Sequence, residues 1–77
     1  MKEILETIIK NLVEDENVVT ITEKEEDRSI TFEVKVAESD IGKVIGKQGR
    51  IAKSIRNVIK SIAGKDHKKV NIEFIED

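Results

Sequence analysis

The 77-residue chain contains no cysteine, proline, tryptophan or tyrosine. Without cysteine it has neither a disulfide framework nor a Cys/His zinc cluster to staple a small fold. Without proline or any Ser/Gly-rich tract it has no linker, so one domain over residues 1–77 is expected. No internal repeat is visible. Long apolar runs are missing as well. Residues 1–13 are apolar on one side only, because Glu3, Glu6 and Lys10 interrupt them. They match neither a signal peptide nor a membrane span, which points to a cytoplasmic protein with no membrane contact. A domain of this size buries only about 60% of its unfolded surface. Its core has to come from Ile, Val, Leu and two phenylalanines.

Charge is distributed unevenly. The whole chain carries a formal net charge of −2. Residues 1–40 hold net −7, residues 41–69 net +8, and residues 70–77 net −3. A nucleic-acid binder is usually basic throughout, and this chain is not. The local field nevertheless outweighs the total for a ligand that touches one face. The plain alternative is a set of lysines and arginines that only solubilise a helix.

Residues 2–14 predict an amphipathic helix, with Ile4, Leu5, Ile8, Ile9, Leu12 and Val13 forming its stripe. Asp15-Glu16-Asn17 should end it, with Asn17 as a left-handed cap. The β-branched run 18–23 predicts a strand, and Lys24 to Arg28 a charged turn. Residues 29–36 alternate cleanly, with Ile30, Phe32, Val34 and Val36 facing the core. Ser39 or Asp40 should cap a short helix ending near Ile45. A longer helix should run from Arg50 to Ala63 and stop at Gly64. On its wheel, Ile51, Ile55, Val58, Ile59 and Ile62 share one arc, opposite Arg50, Lys53, Arg56 and Lys60. A basic loop, Lys65 to Lys69, leads to a last strand around Val70, Ile72 and Phe74. The expected class is α+β, in the order α-β-β-α-α-β, with three helices on one face of a three-stranded sheet.

Between the two later helices lies Val44-Ile45-Gly46-Lys47-Gln48-Gly49-Arg50. Two glycines here remove the Cβ atoms that would hold a foreign backbone away. Lys47 and Gln48 sit between them, and Arg50 opens a helix whose free N–H groups favour an anion. This is chemistry for gripping a phosphate backbone, with nothing in it that cleaves or transfers. A nucleotide-hydrolysing P-loop does not fit. Gly42-x-x-x-Gly46-Lys47 is one residue short, and Gln48 stands where a magnesium-binding Ser or Thr belongs. Gly42 and Gly46 could instead be a close-packing pair of helix residues. His67, the lone histidine, has no nucleophile near it in sequence, and a solvated loop residue is the better reading. The acidic run Glu23 to Asp27 lacks the glycine-centred loop of a calcium hand. No enzyme, cofactor or metal site is expected.

The run Ile41-Gly42-x-Val44-Ile45-Gly46-Lys47-Gln48-Gly49-Arg50, followed by a helix and a strand, resembles a KH domain of the type II topology. The resemblance covers essentially the whole chain and is strongest to the short bacterial single-KH proteins of the KhpA family. It implies that about four nucleotides of single-stranded RNA are clamped at the glycine turn. Gly46 and Gly49 would admit the sugar-phosphate chain, and Lys47, Gln48 and Arg50 would meet phosphates, with Lys53 continuing the track. Ile41, Gly42, Val44 and Ile45 would form one wall of a shallow base groove. A strand edge near residues 30–36 would form the other. Phe32 and Phe74 are expected in the core, so stacking platforms should be missing and binding should be weak and tolerant of sequence. The resemblance further implies an RNA chaperone or post-transcriptional regulator that pairs with itself and with a larger Jag-like KH-containing protein. An interaction module acting only through such pairing is the alternative function.

Overall fold

Strand β2, Ser29–Val36, is the spine of the molecule because its alternating side chains fill the core. The computed structural model describes residues 1–64 and 69–76. Helix α1 spans Lys2–Leu12, strand β1 Thr20–Glu25, helix α2 Ile41–Ile45, helix α3 Arg50–Ala63 and strand β3 Lys69–Glu76. The sheet order is β1-β2-β3. The first pair is antiparallel and the second parallel, with Phe32 opposite both Glu23 and Ile72. The link from β2 through α2 and α3 back to a parallel neighbour lays the helices on one face of the sheet.

That face holds the core. Ile30, Phe32, Val34, Val36, Val70 and Ile72 from the sheet meet Leu5, Ile9, Val44, Ile55, Ile59 and Ala63 from the helices. On the opposite face Thr31 and Glu33 of β2 stay half-buried, and Lys24 pairs with Glu33 at 3.0 Å.

Several boundaries differ from those expected. Helix α1 stops at Leu12 rather than residue 14, and Val13, in an extended conformation, takes the cap position expected of Asn17. The backbone N–H groups of Glu14 and Asp15 donate to the Asp40 carboxylate instead of continuing the helix. Strand β1 begins at Thr20 and runs through Lys24 and Glu25, because the eight-residue β2 offers register that far. Val18 and Val19 lie outside it, hydrogen-bonded to Asp15 and Glu16. Lys69 belongs to β3, while residues 65–68, including His67, lie outside the described residues.

Helix α3 has the expected limits but a different rotation. Its buried residues are Ala52, Ile55, Ile59 and Ala63. At about 100° per residue, that set is turned about 60° from the arc of isoleucines and Val58 seen in the sequence. Two alanines, Ala52 and Ala63, take buried places on that side. Ile51, Val58 and Ile62 are left 37%, 46% and 41% exposed. The reading of these three as core is therefore corrected.

Candidate nucleic-acid interface

The short helix α2 delivers the chain into the glycine turn, where its geometry changes abruptly. Gly46 has φ 75° and ψ 177°, a region that is essentially glycine-only. A Cβ there would lie 2.6 Å from Cγ1 of Ile51. Gln48 (φ 56°) and Gly49 (φ 72°) follow in the left-handed region. The turn is tied by Gly46 N–H donating to Gly42 O at 2.9 Å and Gly49 N–H to Gly46 O at 3.3 Å. Its tip, Lys47-Gln48, is exposed.

Helix α3 starts at once, with Gly49 at the cap position and no side chain capping its free N–H groups. The first of them, Arg50 N–H, donates to Lys47 O across the turn, and the helix N-terminus behind it suits an anion. Arg50 and Lys53 stand exposed beside it. Among the described residues no ion pair engages Lys47, Arg50 or Lys53. The arrangement offers three cations and a set of backbone donors to one anionic chain.

Along α2, Ile41 is half-buried, Gly42 is exposed, and Ile45 is 36% exposed. A Cβ on Gly42 would meet nothing within 4 Å, so tight helix packing does not explain this glycine. It keeps the surface low beside Ile45. Val44 differs. It is wholly buried in the core cluster, so its side chain has no surface to offer a ligand. The expectation of Val44 as a groove wall is corrected to a residue that anchors α2 from behind.

The opposite wall is also reassigned. Residues 30–36 lie in the central strand, hydrogen-bonded on both edges, so they present no free edge. The edge beside α3 belongs to β3. Arg56 of α3 reaches it, donating from Nε and Nη2 to Ile72 O at 3.4 and 3.2 Å. Its guanidinium lies over the Phe74 ring, 5.6 Å from the centroid. Phe32 is buried as expected, but Phe74 is only half-buried. Arg56 thus leaves the ladder of solvated cations. Nothing in the one-dimensional pattern marks it, because Ile72 lies 16 residues further on and Phe74 two residues beyond that.

A second group missed by pattern reasoning sits behind α2. Asp40 is 1% exposed and accepts from Glu14 N (3.2 Å), Asp15 N (3.0 Å) and Lys43 Nζ (3.3 Å). It does not cap its own helix, as neither it nor Ser39 supplies a side-chain cap. The two backbone donors, Asp15 before Glu14, hold its carboxyl below the ordinary 3.8, with Lys43 adding to them against the effect of burial. Lys43 also pairs with Glu14 at 2.9 Å, which with Asp40 raises its own pKa. The lysine inside the glycine-rich run is thereby engaged by two carboxylates.

Among the described residues no group of three or more His, Asp or Glu side chains could hold a metal, and no helix is long and apolar enough to cross a membrane.

Comparison with known proteins identifies the family. A family model described as KhpA/KhpB, KH domain matches residues 2–74. The RNA-binding protein KhpA of Clostridium acetobutylicum is 55% identical over 75 residues, covering 97% of this chain and all of that protein. The KhpA of Listeria monocytogenes is 45% identical over 99% of this chain and all of its own. That of Chlamydia trachomatis is 44% identical over all of this chain and 99% of its own. No solved structure matches. The chain belongs to the KhpA/KhpB KH-domain family.

Proposed function

We propose that this chain is a small cytoplasmic RNA-binding protein that grips the backbone of single-stranded RNA at Gly46–Gly49 and serves as an RNA chaperone or post-transcriptional regulator. The supporting observation is the uncapped start of α3 behind an exposed Lys47-Gln48 tip, flanked by Arg50 and Lys53. Ile41, Gly42 and Ile45 supply a low apolar shelf for bases. Binding through fixed donors and cations needs no cofactor and performs no covalent chemistry. The relatives' names as RNA-binding proteins point the same way.

The test is a Lys47→Asp/Gln48→Asp double variant. Both side chains are exposed, so circular dichroism should show an unchanged fold. Two carboxylates facing phosphates should nearly abolish binding of a short labelled single-stranded RNA. Full affinity in the folded variant would remove the turn from the mechanism.

A second reading, self-association, is favoured by the apolar edge of α3. Ile51 and Val58 line a groove of about 360 Å³ with Ile8 and Leu12 of α1. Continued by Ile62, this stripe suits the same stripe of a second copy, and the acidic first half of one copy complements the basic middle of the other. Sedimentation should show a dimer that Val58→Glu splits into folded monomers. A monomer at every accessible concentration would leave a larger Jag-like KH-containing protein as the occupant of that face.

A further inference from the structure

Arg56 stands apart from the other cations of α3. Gly49, Lys53, Arg56 and Lys60 follow one side of the helix at spacings of four, three and four residues. Lys53 and Lys60 are exposed, whereas Arg56 is half-buried and held. The Ile72 carbonyl takes its Nε and one Nη2 hydrogen. The Phe74 ring lies under it, 5.6 Å from the guanidinium carbon to the ring centroid. A guanidinium has five N–H donors in a rigid fork. Among the described residues nothing else bonds Arg56, so Nη1 and the remaining Nη2 hydrogen form an unused pair of parallel donors.

The position of this fork matters. Arg56 is seven residues beyond Gly49, about 10 Å along the helix axis. A strand gripped at the turn and running along α3 would reach Arg56 within a clamp of about four nucleotides. A fixed fork favours planar, bidentate recognition over long-range attraction, and on a nucleic acid it is contacts to base edges, not to phosphates, that carry sequence selectivity.

Resting on the backbone-grip reading above, we infer that Arg56 is a base-reading residue that selects a nucleobase with two adjacent acceptors. Guanine offers O6 and N7 on one edge, and cytosine offers O2 and N3. Adenine and uracil present no two adjacent acceptors, so the fork meets at most one. Phe74 and the Ile72 carbonyl are the positioning groups that hold the fork. The protein is then selective for guanine or cytosine at one place in an otherwise tolerant site.

The experiment uses the full chain and a short uridine oligonucleotide in which a single cytidine, guanosine or adenosine is moved along the strand. The wild type should bind the strand bearing cytidine or guanosine at one position about 5- to 150-fold more tightly than the all-uridine strand, the range of one bidentate contact. Adenosine should give no gain. Arg56→Lys keeps the charge but replaces the fork with a point donor. It should retain uridine binding and its salt dependence while losing the preference. Phe74→Leu keeps an apolar side chain against the core and should weaken the preference through the loss of the supporting ring. This variant serves also if Arg56→Lys does not fold. Equal binding of all strands by a wild type whose binding still depends on Lys47 and Gln48 would overturn this inference alone. An undiminished preference in both Arg56→Lys and Phe74→Leu would do the same. No RNA binding at any salt concentration would overturn the grip and the base reading together.

Discussion

The Cα of Gly46 is pressed so closely on Ile51 that an added Cβ would stand 2.6 Å from Cγ1 and 2.9 Å from Cδ1 of that side chain. Two separate penalties therefore attach to Gly46→Ala. One is the backbone, at φ 75° and ψ 177°, a conformation costing an alanine about 1–3 kcal/mol. The other is the contact itself. Ile51→Ala should relieve only the second, so the double variant should recover part of the lost stability. Chemical denaturation of the four proteins measures both parts. A Gly46→Ala protein as stable as the wild type would show that the turn is not held in this form.

Gly42 leads to the opposite expectation for stability. It sits inside α2 with open space where a Cβ would be. Alanine at a helical site is favoured over glycine by about 0.5–1 kcal/mol. Gly42→Ala should therefore raise the melting temperature while weakening RNA binding, because the new methyl occupies the shelf beside Ile45. Stabilisation together with undiminished affinity would mean that no part of the RNA approaches α2 at this point.

Acid should act through Asp40. Its carboxyl is depressed by the N–H groups of Asp15 and Glu14 and by Lys43. A depressed carboxyl contributes stability that is fully present above its unfolded pKa and is lost as the pH falls through its lower folded value. Stability from this group should hold from neutral pH to about pH 5, then decline below about pH 4. Asp40→Asn should melt at lower temperature at pH 7 and show a smaller further loss on acidification. Parallel pH profiles for the two proteins would assign the acid sensitivity to other carboxylates.

Local chemistry was legible, and contacts across the chain were not. The limits of β2 followed from strict alternation at Ile30, Phe32, Val34 and Val36, and those of α3 from glycines at 49 and 64. The glycine turn was legible for the same reason, since its demands fall on adjacent residues. The end of α1 depended on Asp40, some 26 residues away, which no helix signal near Leu12 encodes. Helix α3 buries Ala52 and Ala63 together with Ile55 and Ile59, and a wheel weighted toward large apolar residues points elsewhere. Strand order decided which edge faces α3, and with it the fate of Arg56. Alternation along a strand says which side chains are buried but nothing about which strand lies outermost.

Salt dependence tests the origin of affinity, and the structure sharpens what to expect. Six cations lie on α2, the turn and α3, yet they are not equivalent. Lys43 is committed to Glu14 and Asp40, and Arg56 to Ile72 and Phe74. Lys47, Arg50 and Lys53 remain exposed within reach of a four-nucleotide clamp, while Lys60 lies further along α3. Each phosphate neutralised on a single strand contributes about −0.7 to the slope of log K against log salt, so three contacts should give about −2. Lys53→Glu should remove about one contact, flatten the slope, and weaken all RNA sequences alike. Lys43→Met should leave the slope where it was, because that charge is already balanced inside the protein. The two lysines are ten residues apart and indistinguishable by residue type, so the pair separates the geometric account from a simple count of charge. A slope near zero with measurable affinity would mean that contacts to bases hold the RNA and that residues 46–53 are not an electrostatic grip. Equal flattening by both variants would mean that Lys43 leaves Asp40 when RNA binds.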